Sequence, residues 1–262
     1  MSIFARNLVI IIVLMMKPNK SEVHAQTFSS GPKKTPLIEL YTSEGCSSCP
    51  PAEQWLNTLT DHKGLWHQFV PIAFHVDYWD YIGWKDTFAS ASNSRRQRQY
   101  KQEGNLKGVY TPSFVFMGNE WKSWYFERKI PNVNWSEVGD LRVKIVGENA
   151  LVSFNPSQSS AVKLKLHFSI LGFDLTTRVK RGENSGKILK HEFVSLARTS
   201  QVAEEQNGLY QWQIKIPNLE IFQQKPFLLD TDQKPRLAYV TWVTAVNRLQ
   251  PIQATGAWRA TD

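Results

Sequence analysis

Apolar residues in the first half of the chain fall into short runs that predict three buried strands. The runs cover Leu37–Thr42, 70–76 and 113–117, and turn-forming residues follow the first and the last of them. Between these runs, residues 52–59 and 94–102 have the spacing of helices. The first half therefore alternates strands with helices.

The pattern changes beyond residue 138. Short alternating runs cover residues 142–146, 151–154, 162–171, 211–216 and 237–246, and turn-forming steps such as Asn155-Pro156 separate them. This arrangement predicts an all-β, sandwich-like or barrel domain over residues 138–262. The segment has no cysteine and no recognisable catalytic spacing. We therefore expect it to have a binding or positioning role.

The first 25 residues have the pattern of a signal peptide. Arg6 precedes an apolar run at residues 8–16, and Val23-His24-Ala25 offers small residues for cleavage after Ala25. A bilayer span needs about 20 apolar residues, so no stable membrane span is expected after cleavage. The prediction is a periplasmic or secreted protein, with residues 26–36 as a linker; the alternative is a disordered or interfacial N-terminus on a cytosolic protein.

The charge of the chain is unevenly distributed. Lys and Arg number 31 against 23 Asp and Glu, a net charge of +8. Residues 36–129 nevertheless hold ten of each sign. Nucleic-acid binding normally needs a concentrated basic stripe and a reader motif, and the sequence has neither, so no nucleic-acid partner is expected.

Cys46 and Cys49 are the only cysteines, and two residues separate them. A cysteine near a helix N-terminus is stabilised as the reactive thiolate. This predicts Cys46 as the nucleophile and Cys49 as the cysteine that resolves the mixed disulfide. A static structural disulfide and a metal site are the alternatives, although zinc normally takes four ligands and no second Cys-x-x-Cys exists. We therefore predict no metal and no other cofactor.

Two prolines, Pro50 and Pro51, directly follow the second cysteine. Proline lacks the backbone N–H and is tolerated only in the first turn of a helix. The helix should therefore start close to Cys49, which leaves the lowering of the Cys46 pKa in question.

Five sequence blocks resemble the thioredoxin superfamily and, within it, a family of secreted bacterial proteins of largely uncharacterised function. The blocks are residues 39–51 (ELYTSEGCSSCPP), 74–81 (FHVDYWDY), 83–86 (GWKD), 109–112 (VYTP) and 182–187 (GENSGK). The resemblance implies an α/β thioredoxin-like domain over residues 37–130, with an aromatic insertion, followed by the β-rich domain at 138–262.

The resemblance also implies roles for single residues. Pro112 matches a cis proline that lies against the cysteine pair, and Thr111 precedes it where an incoming peptide would pair. Glu39 lies in a strand that a parallel sheet would bury, where its carboxyl could shuttle the proton of Cys49; the alternative is a solvated strand end.

Two further residue groups carry open alternatives. The aromatic passage at residues 78–107 includes Trp79 and Trp84, which are predicted to contact substrate or else to pin the insertion to its own domain. His75 and Asp77 could complete a metal site with the cysteines, as in copper-handling relatives, or His75 could be a structural histidine.

These observations together predict an extracytoplasmic thiol-disulfide oxidoreductase that acts on protein or small-molecule thiols and disulfides. The alternative is a non-catalytic thioredoxin-like binding protein or copper carrier, in which the cysteines form a fixed disulfide or ligate the ion. The oligomeric state does not follow from the sequence.

Overall fold

The computed structural model describes residues 25–132, 136–159, 162–219 and 235–260. The strands in these ranges are β1 (Gln26–Ser29), β2 (Leu37–Thr42), β3 (Val70–His75), β4 (Ser113–Phe116), β5 (Asn119–Glu120), β6 (Gly139–Val146), β7 (Asn149–Pro156), β8 (Leu164–Gly172), β9 (Leu175–Arg178), β10 (Ile188–His191), β11 (Val194–Ala203), β12 (Tyr210–Lys215), β13 (Leu237–Ala245) and β14 (Pro251–Trp258). The helices are α1 (Pro50–Asn57), α2 (Ala91–Gln102) and α3 (Trp124–Glu127), with 3₁₀ turns at Thr58–Asp61 and Asp80–Ile82.

Eight strands form one large mixed sheet in the order β14-β13-β8-β11-β3-β2-β4-β5. Only the β2–β3 and β3–β11 pairs are parallel among these strands; their neighbours pair antiparallel. The sheet therefore contains strands from both halves of the chain.

A second sheet of four strands, in the order β1-β6-β7-β12, packs over the β8 and β13 part of the large sheet. Its inward residues alternate along each strand, as in β12, where Tyr210, Trp212 and Ile214 are buried. Phe168 and Tyr239 of the large sheet belong to the same core. The segment 26–36, predicted as a linker, contributes β1 to this sheet through its pairing with β6.

One short parallel pairing joins the halves of the large sheet. Val194 at the start of β11 lies opposite Ala73 of β3. The amide of Ala73 donates to the carbonyl oxygen of Phe193 at 2.8 Å. From there β11 pairs along its length with β8, so the backbone hydrogen bonding is continuous across the sheet.

The prediction of an α/β thioredoxin-like domain followed by a separate all-β domain is wrong. The described chain is mostly β, with fourteen strands against three short α-helices. Its largest sheet is mixed and takes strands from both predicted domains. The alternation of strands and helices in the first half correctly indicated elements, but it could not reveal that the edge of β3 pairs with a strand more than a hundred residues away.

Side chains alternate between the two faces of a strand, so Thr42 and Glu39 of β2 point to opposite faces. The helix α1 lies on the face of Thr42, and α2 lies on the face of Glu39. Thr42 donates to Glu53 of α1 at 2.5 Å. On the other face, Glu39 binds Arg96 and Tyr100 of α2. The two faces of this one strand therefore carry different polar contacts.

Glu39 and Arg96 form a buried ion pair on the α2 face. Arg96 donates from Nε at 2.8 Å and from Nη2 at 2.9 Å, one bond to each carboxylate oxygen. The hydroxyls of Tyr41 and Tyr100 donate to the same carboxylate at 2.9 and 2.5 Å. Both charged side chains are almost fully buried, with exposures of 3% for Arg96 and 1% for Glu39. Water therefore solvates neither charge, and each is compensated by the other.

We predict that Arg96→Met lowers the free energy of unfolding by about 3–5 kcal/mol, because it leaves the Glu39 carboxylate buried without its cation. Denaturant unfolding of the purified protein measures the change. Arg142→Met is the matched control, because Arg142 pairs with Asp140 while its side chain stays 70% exposed; its loss should be below about 1 kcal/mol. Equal losses in the two variants would contradict this account of the α2 face.

Candidate disulfide site

Cys46 and Cys49 form a disulfide, with their Cα atoms 5.4 Å apart. Both cysteines have 0% exposure, whereas the two serines between them are exposed. The bond therefore lies just beneath a surface loop. A partner can reach either sulfur only if this loop, or a segment that covers it, moves.

The helix α1 starts where the sequence predicted, with Cys49 as its N-cap and prolines in its first turn. The amides of Ala52 and Glu53 both donate to the carbonyl oxygen of Cys49, at 2.9 and 3.1 Å. The first-turn prolines have no amide hydrogen to offer. The end of the helix therefore supplies few donors to a thiolate at Cys46.

A hydroxyl group lies next to the sulfur of Cys46. Ser48 Oγ is 3.4 Å from Cys46 Sγ, and a hydroxyl can donate to a sulfur anion. The backbone turn is closed by the amide of Cys46 donating to the carbonyl oxygen of Ser43 at 3.1 Å. Stabilisation of a Cys46 thiolate would come from this turn.

The loop of residues 182–187, from the second half of the chain, holds the cysteine turn in place. The side-chain amide of Asn184 donates to the carbonyl oxygens of Glu44 and Cys46, at 2.8 and 2.9 Å. Asn184 is fully buried, and Lys187 Nζ donates to its Oδ1 at 2.8 Å. The 182–187 loop therefore acts as a clamp on the backbone at Cys46.

A second contact of the same loop reaches the exposed serine turn. The amide of Ser47 donates to Glu183 Oε2 at 3.0 Å. Hydrogen bonds from the side chain of Ser47 and from its backbone amide lower the pKa of the Glu183 carboxyl, because they favour the ionised form. The carboxylate takes up one of the backbone donors that lie next to the disulfide.

Trp79 links Thr111, a predicted site residue, to the cysteine turn. Its indole Nε1 donates to Thr111 Oγ1 at 2.8 Å. Its Cβ lies 3.0 Å from the position that a Cβ would take at Gly45, which directly precedes Cys46. The Thr111–Pro112 peptide bond is cis, as predicted.

Trp84 lies on another side of the same turn. Its Nε1 donates to Glu44 Oε2 at 2.7 Å, and its ring is half-buried. The indole nitrogens of Trp79 and Trp84 are thus both used inside the protein. This supports the alternative in which these aromatic residues pin the insertion to its own domain. Both residues are only half-buried, so part of each remains accessible beside the cysteine turn.

The predicted role of Glu39 as a proton shuttle for Cys49 is not supported by its position. Glu39 faces α2, whereas α1, which begins after Cys49, lies on the opposite face of β2. Its carboxylate is bound by Arg96. The alternative of a solvated strand end is wrong, because Glu39 is buried.

A different acid, Glu53, lies one helical turn after Cys49 on the buried face of α1. Its Oε2 lies 2.5 Å from His191 Nδ1, at the end of β10. Burial opposes its ionisation, but the imidazole of His191 outweighs burial and lowers the pKa of Glu53. Burial likewise opposes a charge on His191, and Glu53 and Glu44 overcome it, raising the pKa of His191 to about 10.

His75 and Asp86 form a second buried pair beside the first. His75 Nδ1 lies 2.8 Å from Asp86 Oδ2, and the amide of Glu44 donates to the same oxygen at 2.8 Å. The neighbouring Asp77 accepts instead from Ser94. His75 and Asp77 therefore have separate protein partners, and nothing brings them together as a ligand pair.

The sequence reasoning missed Glu53, His191, Asn184 and Asp86. A signal for Glu53 was present, because helix spacing puts it on the same side of α1 as Leu56, three residues further on, where an acid is unexpected. Asn184 and Asp86 fall in blocks that carried the family resemblance. Nothing in the local sequence around His191 pointed to the cysteines.

Comparison with known proteins now adds the family. A family model described as "Protein of unknown function (DUF1223)" matches residues 37–227, which is most of the chain. The chain belongs to the DUF1223 family. This confirms the resemblance to a family of uncharacterised function, but the comparisons do not confirm the thioredoxin superfamily. No curated protein matches the chain.

Two solved structures are similar to this DUF1223 chain in fold. A structural-genomics protein from Agrobacterium tumefaciens has a TM-score of 0.56 and 23% identity, over 87% of this chain and 96% of its own. HBP35 of Porphyromonas gingivalis has a TM-score of 0.53 and 12% identity, over 86% of this chain and 75% of its own. Both matches extend over strands on both sides of the β3–β11 junction.

We predict that Asn184→Ala loosens the cysteine turn, because two buried carbonyl oxygens lose their donor. The free energy of unfolding should fall by about 1–3 kcal/mol. Reduction of the disulfide by dithiothreitol should become faster, by about tenfold for each 1.4 kcal/mol by which opening becomes easier. Quenched alkylation and mass spectrometry measure this rate.

Ser185→Ala is the control in the same loop, because Ser185 is exposed and donates to Lys180 rather than to the cysteine turn. Its unfolding free energy should change by no more than about 0.5 kcal/mol. If the disulfide of Asn184→Ala is reduced at the wild-type rate, the 182–187 loop does not restrain access to it.

Proposed function

We propose that the chain is a thiol-disulfide oxidoreductase in which Cys46 and Cys49 alternate between the dithiol and the disulfide. The observation that carries the proposal is the disulfide between the only two cysteines, at the start of α1. The two serines between these cysteines are exposed. A two-residue spacer lets each sulfur reach the other without rebuilding the fold. Protein or small-molecule disulfides are the proposed substrates.

The chemistry balances without any further cofactor. In the reduced protein, the Cys46 thiolate attacks a substrate disulfide, forms a mixed disulfide and releases one substrate thiolate. The Cys49 thiolate then attacks Cys46 Sγ, closes the Cys46–Cys49 disulfide and releases the second substrate thiolate. The protein is oxidised by two electrons and the substrate disulfide is reduced; a substrate dithiol reverses both steps.

The surroundings of the disulfide support recognition of an extended partner. Thr111 and Pro112 directly precede β4, which pairs with β2, and Trp79 connects Thr111 to the cysteine turn. The half-buried ring of Trp84 borders the turn on another side. These groups offer hydrogen-bonding backbone and aromatic surface for a partner.

The proposed location is the periplasm or the cell exterior. Disulfides persist in oxidising compartments and are rare in the cytosol, and the structure contains one. The predicted signal peptide lies almost entirely at residues 1–24, outside the described residues. Within the described ranges, no helix is long and apolar enough to cross a bilayer.

A structural disulfide in a binding protein is the second candidate. Complete burial of both sulfurs and the Asn184 clamp favour it, because a redox disulfide has to be reached by its partner. The copper-carrier form of this alternative would require reduction first, since only the thiolates ligate metal.

The roles of the two cysteines predict different trapping by two variants. Reduced Cys49→Ser, mixed with a peptide disulfide, should accumulate a peptide adduct on Cys46, because no second thiol releases it. Cys46→Ser should form far less adduct, because its remaining thiol, that of Cys49, lies at the start of α1 behind the cysteine turn. Wild-type protein should release two equivalents of peptide thiol and end with its own disulfide. Acid quenching and mass spectrometry measure all three.

Ser48→Ala with both cysteines present is the control for the turn itself, and it should still close its disulfide. Equal trapping by the two cysteine variants would reverse or remove the assigned roles. No trapping by either, with the wild-type thiols inert to the peptide, would support the structural disulfide.

A further inference from the structure

Behind the cysteine turn, three buried side chains from three separate elements converge. Glu53 of α1, His75 of β3 and His191 of β10 each place one potential ligand atom within 4.8 Å of the other two. All three side chains are buried. The imidazole rings of His75 and His191 lie with their centroids 5.1 Å apart, at a steep angle to one another.

Three atoms at this place are buried without a hydrogen-bond partner. They are His75 Nε2, His191 Nε2 and Glu44 Oε1. Buried polar atoms are normally paired, and unpaired ones call for an explanation such as an ion. Two ring nitrogens and a carboxylate oxygen share one property, since each can offer a lone pair to a cation.

The other nitrogen of each ring is held by a carboxylate. His75 Nδ1 binds Asp86 at 2.8 Å, and His191 Nδ1 lies 2.5 Å from Glu53 Oε2. A carboxylate on one ring nitrogen orients the ring, which is the usual support for a metal-binding histidine, and a cation at the other nitrogen displaces the proton that the protonated ring carries there. Asp86 is itself fixed by the amides of Glu44 and Phe88.

One distance already fits a metal centre. His191 Nε2 and Glu44 Oε1 are 3.4 Å apart, although the pair lacks hydrogen-bond geometry. Zinc bonds to imidazole nitrogen and carboxylate oxygen of about 2.0–2.2 Å, arranged as a tetrahedron, place neighbouring ligand atoms about 3.4 Å apart.

We propose that His75 and His191 bind one divalent cation of the zinc class through their Nε2 atoms, with Glu44 as a further ligand and with Asp86 and Glu53 orienting the two rings. Two imidazoles and a carboxylate oxygen suit Zn²⁺. The cysteines take no part, so this site does not rest on the proposed redox function and differs from a cysteine-ligated carrier. The cation would tie β3 to β10 behind the disulfide.

The test is a titration of full-length, chelator-treated protein with Zn²⁺, with both cysteines oxidised and free thiols shown to be absent. Isothermal calorimetry should give one Zn²⁺ per chain, and the melting temperature should rise with added Zn²⁺. His75→Gln and His191→Gln should each abolish the saturable site. Asp86→Asn should weaken it by about 10–100-fold, because Asp86 orients His75.

Two controls separate this site from others. His67→Gln should bind as the wild type does, because His67 is exposed, whereas His75 and His191 are buried. The double variant Cys46→Ser, Cys49→Ser should also keep its Zn²⁺, whereas loss of binding there would move the ligands to the cysteines and overturn the proposal. If these controls bind Zn²⁺ while the wild-type protein exchanges no disulfide, the cation site stands and only the proposed redox function fails.

A direct measurement on the wild-type protein tests the site even if the variants fail to fold. Anomalous diffraction at the zinc edge from soaked wild-type crystals should place the ion between His75 and His191. An ion found only at surface histidines, or no saturable binding in calorimetry, would overturn the site.

Discussion

The arrangement of the molecule depends on one short parallel pairing between β3 and β11, where Ala73 donates to Phe193 and Val194 lies opposite Ala73. It makes one sheet out of strands from both halves. Because β10 ends just before this junction, the same pairing holds His191 against α1 and the preceding 182–187 loop against the cysteine turn. The second half of the chain is thus part of the disulfide site.

Two buried charge networks then fix the elements around β2. On the α2 face, Arg96 neutralises Glu39; on the α1 face, Glu53 binds Thr42 and His191. Removing one member of a buried network leaves the other charge uncompensated, so each network disfavours alternative packings. The cysteine turn lies next to the second network, which is why its backbone is held by groups far apart in sequence.

Much of the secondary structure could be predicted because it follows local hydrophobic patterns. The run at β2 matches its predicted bounds, and the prolines correctly indicated where α1 begins. The strand β11 was missed because it reads Arg198-Thr199-Ser200-Gln201 in its middle and carries an irregularity between Ser195 and Ala197, which breaks the alternation. Without β11, the joining of the halves, the contact of His191 with Glu53, and the clamp by Asn184 could not follow from the sequence.

The central claim is that a buried but reversible disulfide is controlled by the fold around it. An equilibrium titration of the wild-type protein in glutathione buffers tests it, with free thiols trapped by alkylation and counted by mass spectrometry. The account predicts a reversible change between zero and two thiols at a potential between about −120 and −300 mV, the range of redox-active pairs, while the near-ultraviolet circular dichroism stays native. A disulfide that resists reduction below about −300 mV, or that opens only as the protein unfolds, would contradict it.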